Sequence, residues 1–229
     1  MKVALLQHTP DPEMSVALAA RLCYSPVAID ELKERISVSD VKGFLDKIMS
    51  LGHQSVLEHA SFTFGIEGIS RVTSHQLVRH RLASYSQQSQ RYVSHKKRFA
   101  AVVPPAIAGR PALLARFEAQ LEALHKCYAE MVDAGVPAED ARYILPNATE
   151  TKLLVTMNAR ELLHFFGARC CERAQWEIRE MAMEMLRLSK TVAPTIFRDA
   201  GPGCISGSCP EGTMTCGNIQ DVRERFRSM

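Results

Sequence analysis

Apolar positions along the chain recur at two periods. Residues 2–7 alternate or run apolar and predict a first strand. Met14, Ala17, Leu18 and Leu22 then recur at helical spacing and predict a helix over Asp11 to Cys23. A second helix is expected from Ser39 to Leu51, opened by the polar run Ser37-Val38-Ser39-Asp40 and stopped at Gly52. Ser61 to Gly68 alternates apolar with small or polar side chains, the pattern of a half-buried strand, and a helix over Ser70 to Arg79 follows. Ser84 to Gln90 shows no helical spacing and reads as a loop. After an extended piece closed by Val102-Val103-Pro104-Pro105, the longest helix starts at Gly109-Arg110-Pro111 and ends at Gly135. It carries Leu114, Phe117, Leu121, Leu124, Tyr128 and Met131 at intervals of three and four. Pro137 to Tyr143 predicts a short helix, Lys152 to Thr156 a strand, and Asn158 to Phe166 a helix capped by Asn158. A final helix over Arg173 to Val192 directs Ile178, Met181, Met185, Leu188 and Val192 inward before Pro194 breaks it. The glycine- and proline-rich residues 201–229 read as an irregular tail. With no repeat and no clear linker, the simplest architecture is one α+β domain over residues 1–200, a mixed or antiparallel sheet flanked by helices.

Composition narrows the function classes. At 229 residues the chain is long enough to bury roughly 70 to 75% of its unfolded surface without staples. Its seven cysteines are odd in number and Cys170-Cys171 are adjacent, which does not suit a disulfide framework, so reduced thiols are expected. The start lacks the apolar core of a signal peptide, and no apolar run approaches the roughly 20 residues that span a bilayer. A soluble cytoplasmic protein without a membrane partner is the expectation.

The net charge of +3 is small, yet the positive charge is localised. Between Glu67 and Glu118 there is no Asp or Glu, while Arg71, Arg79, Arg81, Arg91, Lys96, Lys97, Arg98, Arg110 and Arg116 are all present. Within it, Arg79-His80-Arg81-Leu82-Ala83-Ser84-Tyr85-Ser86-Gln87-Gln88-Ser89-Gln90-Arg91-Tyr92 sets arginines among hydroxyl and amide side chains. Arginine forks and hydroxyl donors suit phosphate, so this stretch is expected to hold anions. The competing reading is a nucleic-acid-binding protein that uses residues 71–116 as its electrostatic footprint. A second arginine group, Arg142, Arg160 and Arg169, lies downstream with Asn158 and His164. His53 and His59 are six apart, which does not align two ligands on one helical face, and hydrogen-bonding roles are preferred there to zinc. Cys204, Cys209 and Cys216 lack paired spacing and would need a distant fourth ligand, so no metal site is expected. No nucleophile elbow, phosphate loop or GxGxxG occurs.

Arg79-His80-Arg81, seven residues, Ser89 and then Arg91-Tyr92 resembles the signature of the flavin-dependent thymidylate synthases. His53-Gln54-Ser55 with Glu58-His59, Arg142 with Leu145-Pro146, Asn158-Ala159-Arg160, Arg169 and Ala174-Gln175-Trp176-Glu177-Ile178 are similar to that family's blocks in the family's order. Ser86, Gln87 and His164 stand where the family commonly has Asn, Glu and Asn. The resemblance covers about residues 1 to 200 and implies the thymidylate synthase-complementing protein fold. It implies reductive methylation of dUMP to dTMP, with carbon from methylenetetrahydrofolate and electrons from NADPH carried by FAD. By that resemblance Gln76, Leu77, Val78, Arg79, Arg142 and Arg169, with Gln87, Gln88, Ser89, Gln90 and Arg91, would surround dUMP. Ser55, Arg79, His80, Arg81 and Gln87, with Asn158, Ala159, Arg160 and His164, would hold FAD. Arg169 is expected to favour the ionised uracil ring and His53 to position flavin or folate. Ser89 has no evident base in the sequence and is expected to donate a hydrogen bond to the nucleotide. A homotetramer with active sites shared between subunits is also implied.

Overall fold

The computed structural model describes residues 1–37, 40–95 and 99–229, with Ser37 described by its backbone alone. The expected helix start at Val38-Ser39 and the Lys96-Lys97-Arg98 cluster lie outside the described residues. The strands are β1 (Lys2–His8), β2 (Ser61–Ser70), β3 (Ala83–Gln87) and β4 (Glu150–Asn158). The helices before β3 are α1 (Pro12–Leu22), α2 (Ile29–Ser37), α3 (Val41–Ser50) and α4 (Arg71–Leu77). Between β3 and β4 run α5 (Pro105–Ala108), α6 (Pro111–Asp133) and α7 (Ala138–Ala141), and after β4 come α8 (Ala159–Arg169), α9 (Trp176–Val192) and α10 (Ile219–Arg227). The α+β class holds, and the four strands form one antiparallel sheet in the order β1-β2-β4-β3.

Residues cluster into two compact units, which the chain enters more than once. The first comprises Met1–Lys2, Ile66–Arg79 and Tyr85–Leu154, and the second comprises Val3–Gly65, His80–Ser84 and Val155–Met229. In the second unit, alternation along β2 buries Phe62 and Phe64, and alternation along β4 buries Val155 and Met157. Thr63 and Thr156 pair through their hydroxyls at 2.8 Å, which fixes the register of the two central strands. Phe62 meets Phe197 edge to face at 5.3 Å, and Phe197 meets Phe166 of α8 at 5.9 Å, so α8 is seated on this core. Helix α1 buries Val16, Ala17 and Ala20, whereas Leu22 of the expected stripe is exposed.

In the first unit, α4 is capped by Ser70, whose Oγ accepts the Thr73 N–H at 3.2 Å. The stripe expected on α6 is only partly covered: Tyr128 is buried, and Leu114, Phe117, Leu121 and Leu124 remain half-exposed. The segment expected as a loop at Ser84 to Gln90 begins instead as β3, an edge strand whose burial alternates with a period of two. Polar side chains are tolerated there because only one face of an edge strand is covered. The tail also differs from expectation, since residues 219–227 form α10 with Val222 and Phe226 buried. Helix α2 has no counterpart in the sequence reading.

Candidate active site

The candidate residues fall into two groups, one within each unit. In the second unit α8 supplies most of them. Asn158 ends β4 with extended backbone, and its Oδ1 accepts the Glu161 N–H at 2.9 Å, so the helix begins at a polar cap as expected. Glu161, in the first turn, directs its carboxylate inward. Its Oε1 lies 3.5 Å from His80 Nδ1, and both side chains are only 6% exposed. On the far side of the ring, Arg169 Nε donates to His80 Nε2 at 3.0 Å. An arginine N–H can only donate, so Nε2 is the acceptor and the proton of the neutral ring sits on Nδ1, facing Glu161. Burial, then the charges of Arg169 and His164, push the His80 pKa down to about 4, leaving the ring uncharged at neutral pH. Burial raises the Glu161 carboxyl, with His164 opposing, and burial lowers Arg169 from a starting value high enough to keep it cationic. Arg169 is therefore a half-desolvated cation whose Nε hydrogen bond goes to an uncharged acceptor.

Around this chain of groups the other expected residues are placed unevenly. His164 is exposed on α8, with its ring 5.7 Å from that of His80. Arg160 is exposed and paired with Glu58 at 2.5 Å, and Ser55 opens the 3-10 turn Ser55–His59 that carries Glu58. Ala159 is fully buried and its N–H donates to the Ala60 carbonyl at 2.8 Å, which anchors the start of α8. His53 and Arg81 are exposed, and the His53 backbone N–H donates to the Ile48 carbonyl at 3.3 Å.

In the first unit, Gln76 is half-buried on α4, while Val78 and Arg79 are exposed just past its end. Leu77 is fully buried and its carbonyl accepts the Tyr85 hydroxyl at 2.9 Å. Gln87 donates from Nε2 to Thr151 Oγ1 at 3.1 Å, and the Gln88 N–H donates to the Lys152 carbonyl at 2.9 Å. Ser89 Oγ accepts the Arg91 N–H at 3.1 Å, and Gln90 is half-buried. Arg91 pairs with Glu139 through Nε and Nη2 at 2.8 and 2.7 Å. Arg142 Nε donates to the Glu139 carbonyl at 3.0 Å, and its charge, after burial, is the second cause lowering the pKa of Arg71. Among the described residues no carboxylate lies within ion-pair distance of Arg71 or Arg142. Two like charges held near one another without a counter-ion fit an anionic ligand.

Glu161, Glu58, Glu139 and Arg71 were not among the expected site residues. Asn158 and Glu161 stand at the spacing of a capping box, a signal that marks the helix start and says nothing about a buried carboxylate.

The chain matches the family model described as thymidylate synthase complementing protein over residues 4–195. It is 69% identical over 230 residues to a flavin-dependent thymidylate synthase of Geobacter sulfurreducens, covering 100% of this chain and 99% of the relative. Similarity extends to flavin-dependent thymidylate synthases of Clostridium tetani, 48% identical over 242 residues with 99% and 97% covered, and Pyrococcus horikoshii, 46% identical over 238 residues with 100% and 98% covered. Buried aromatics seat α8 against the sheet, and that helix presents a shielded arginine; the chain belongs to the flavin-dependent thymidylate synthase family.

Proposed function

We propose that this chain is an FAD-dependent thymidylate synthase, a methyltransferase that converts dUMP to dTMP. In this reading methylenetetrahydrofolate gives the carbon and NADPH the electrons. The observation that carries it furthest is Arg169 held by neutral His80. This acceptor brings no negative charge to the guanidinium, which in this reading would favour the ionised, electron-rich uracil. FAD, when bound, supplies hydride transfer. The residues present suit its charge: Arg81 is exposed near the α8 group, and Arg160 is exposed at the start of α8, where an FAD phosphate would take the place of Glu58 in the turn that Ser55 opens.

The Arg71 and Arg142 pair suits a nucleotide phosphate, which adds Arg71 to the expected substrate residues. Gln87 and Arg91 already have protein partners, so nucleotide binding at either would replace or extend those bonds. Ser89 is assigned a hydrogen bond to nucleotide, because among the described residues no His, Asp or Glu is bonded to its hydroxyl. A homotetramer with shared active sites is supported by the half-exposed apolar stripe of α6. No helix of the described residues is long and apolar enough to cross a membrane, and we assign the enzyme to the cytoplasm. The nucleic-acid reading receives no support, since Arg91 within the basic stretch is neutralised by Glu139 and the relatives named above are all thymidylate synthases.

The deciding measurement is dTMP formation by purified protein with dUMP, methylenetetrahydrofolate, NADPH and FAD, together with the visible absorption of bound flavin. Turnover that vanishes when dUMP, methylenetetrahydrofolate or NADPH is omitted, or when the flavin is stripped from the protein, is expected. A colourless protein without turnover that binds DNA with steep salt dependence would overturn the assignment.

A further inference from the structure

Glu161 is a buried acid that the reading above leaves without a task. It stands in the first turn of α8 and is only 6% exposed. Burying an acid costs free energy, and burial raises the pKa of this one. The N-terminal end of α8 and the charge of His164 act against the burial and favour the ionised form. Among the described residues no arginine or lysine lies within ion-pair distance of the carboxylate, whose contact at 3.5 Å is with Nδ1 of the uncharged His80 ring. Fold stability alone would favour an apolar side chain at such a position.

The surroundings hold one ring in one orientation. Glu161, Phe165 and Arg169 recur at intervals of four and share a face of α8. All three meet His80. Glu161 lies at Nδ1, Arg169 Nε donates to Nε2 at 3.0 Å, and Phe165 meets the ring edge to face at 5.0 Å. His164 adds a second edge-on ring at 5.7 Å. The imidazole thus bridges two side chains about two turns apart on the helix. Its nitrogens are not equivalent. A proton on Nε2 would set an N–H against the Arg169 N–H and a lone pair against the carboxylate, two repulsions at once. A proton on Nδ1 makes both contacts attractive. At 3.5 Å the Glu161 contact is longer than a good hydrogen bond, yet in a shielded site its field still decides which nitrogen is protonated.

We propose that Glu161 is a positioning residue: by facing the Nδ1–H of His80 it fixes the tautomer whose Nε2 lone pair holds the Arg169 guanidinium at the pyrimidine. The proposal rests on the reading that Arg169 serves dUMP. In this role the carboxylate acts through the ring, and the proton stays on Nδ1 throughout.

The test uses the full chain loaded with FAD. Glu161→Leu should lower kcat by about tenfold with a smaller change in KM for dUMP, the scale of loss when a carboxylate behind an ordered imidazole is removed. Glu161→Gln, which keeps an acceptor oxygen, should recover most of that loss. Joined to His80→Gln, Glu161→Leu should add nothing further, because its effect passes through the ring. Ring-nitrogen NMR shifts of His80 should report the Nδ1–H form in the native protein and its loss in Glu161→Leu. These shifts are read without turnover, so they stand even if the thymidylate synthase assignment fails. The denaturant midpoint of Glu161→Leu should equal or exceed the native one, since an apolar side chain replaces a buried acid. Additive losses in the double variant, native kcat and native shifts in folded Glu161→Leu, a Glu161→Gln as slow as Glu161→Leu, or a midpoint that falls along with kcat would each overturn the proposal.

Discussion

At the scale of single residues, the instructive choice is the partner of Arg169. A carboxylate at Nε would make a stronger bond and oppose the charge, whereas the buried neutral imidazole orients the guanidinium and adds no opposing charge. Arg169→Ala is therefore expected to abolish dTMP formation, by at least about a hundredfold, while flavin stays bound. Turnover near the native rate would remove the residue from the chemistry. The ring's protonation also sets a pH limit. His80 has a folded pKa of about 4 against an ordinary 6.5, so over that interval the unfolded chain binds more protons at this site. Its contribution to stability is complete above the ordinary value and is lost as pH falls through the folded one. Denaturant unfolding from pH 7 to pH 4 should show a smaller acid loss in His80→Gln than in the native protein, with Glu161 common to both. Parallel curves would show that His80 does not titrate as described. The sequence singles out His80 and Arg169 but neither Glu161 nor the link between them: His80 and Glu161 are 81 positions apart in number, and a Glu at a capping spacing ordinarily faces water.

Elements were legible wherever a period and a stop signal agreed. Helix α8 began at Asn158 as its cap requires, and α3 and α6 stop before glycines with positive φ, Gly52 at 72° and Gly135 at 89°. Strand β3 is hidden because Ser84, Tyr85, Ser86 and Gln87 are short or polar and lack a helical period, and only their alternation marks a strand. Helix α10 was missed because glycine and proline dominate the residues before it. Its apolar side chains are few, but Phe226 is buried close enough to Gly201 that a Cβ there would collide with it. Removing the cap of α8 should show what an element contributes. Asn158→Ala is expected to lose about 1 kcal/mol, read as a lower denaturant midpoint at unchanged slope. An unchanged midpoint would mean that the cap is replaced by another group.

For the whole molecule, the proposed tetramer makes two mutants informative together. If Arg79→Ala and Arg169→Ala are each inactive, subunit exchange between them should restore part of the activity, since some sites would then collect both arginines from different chains. No recovery after verified exchange would place the two residues in one chain's site, and a monomer that turns over dUMP would dismiss the shared-site reading altogether. Sequence alone could not show how α6 divides its apolar stripe. Spacing says which positions share a face and not what covers them.

That stripe has a consequence for how the protein is handled. A 23-residue helix that buries only Tyr128 within its own chain leaves Leu114, Phe117, Leu121 and Leu124 half-exposed, and the proposed tetramer would cover them with another copy. Mass action then enters the folding equilibrium, because each association step favours the native form in proportion to the supply of partners. The melting temperature should rise with protein concentration, and a dilution series that leaves it flat would show the stripe to be indifferent to assembly. If it does rise, dilution acts as a mild denaturant, and an assay at trace concentration reports on a weaker protein than the same assay at high concentration.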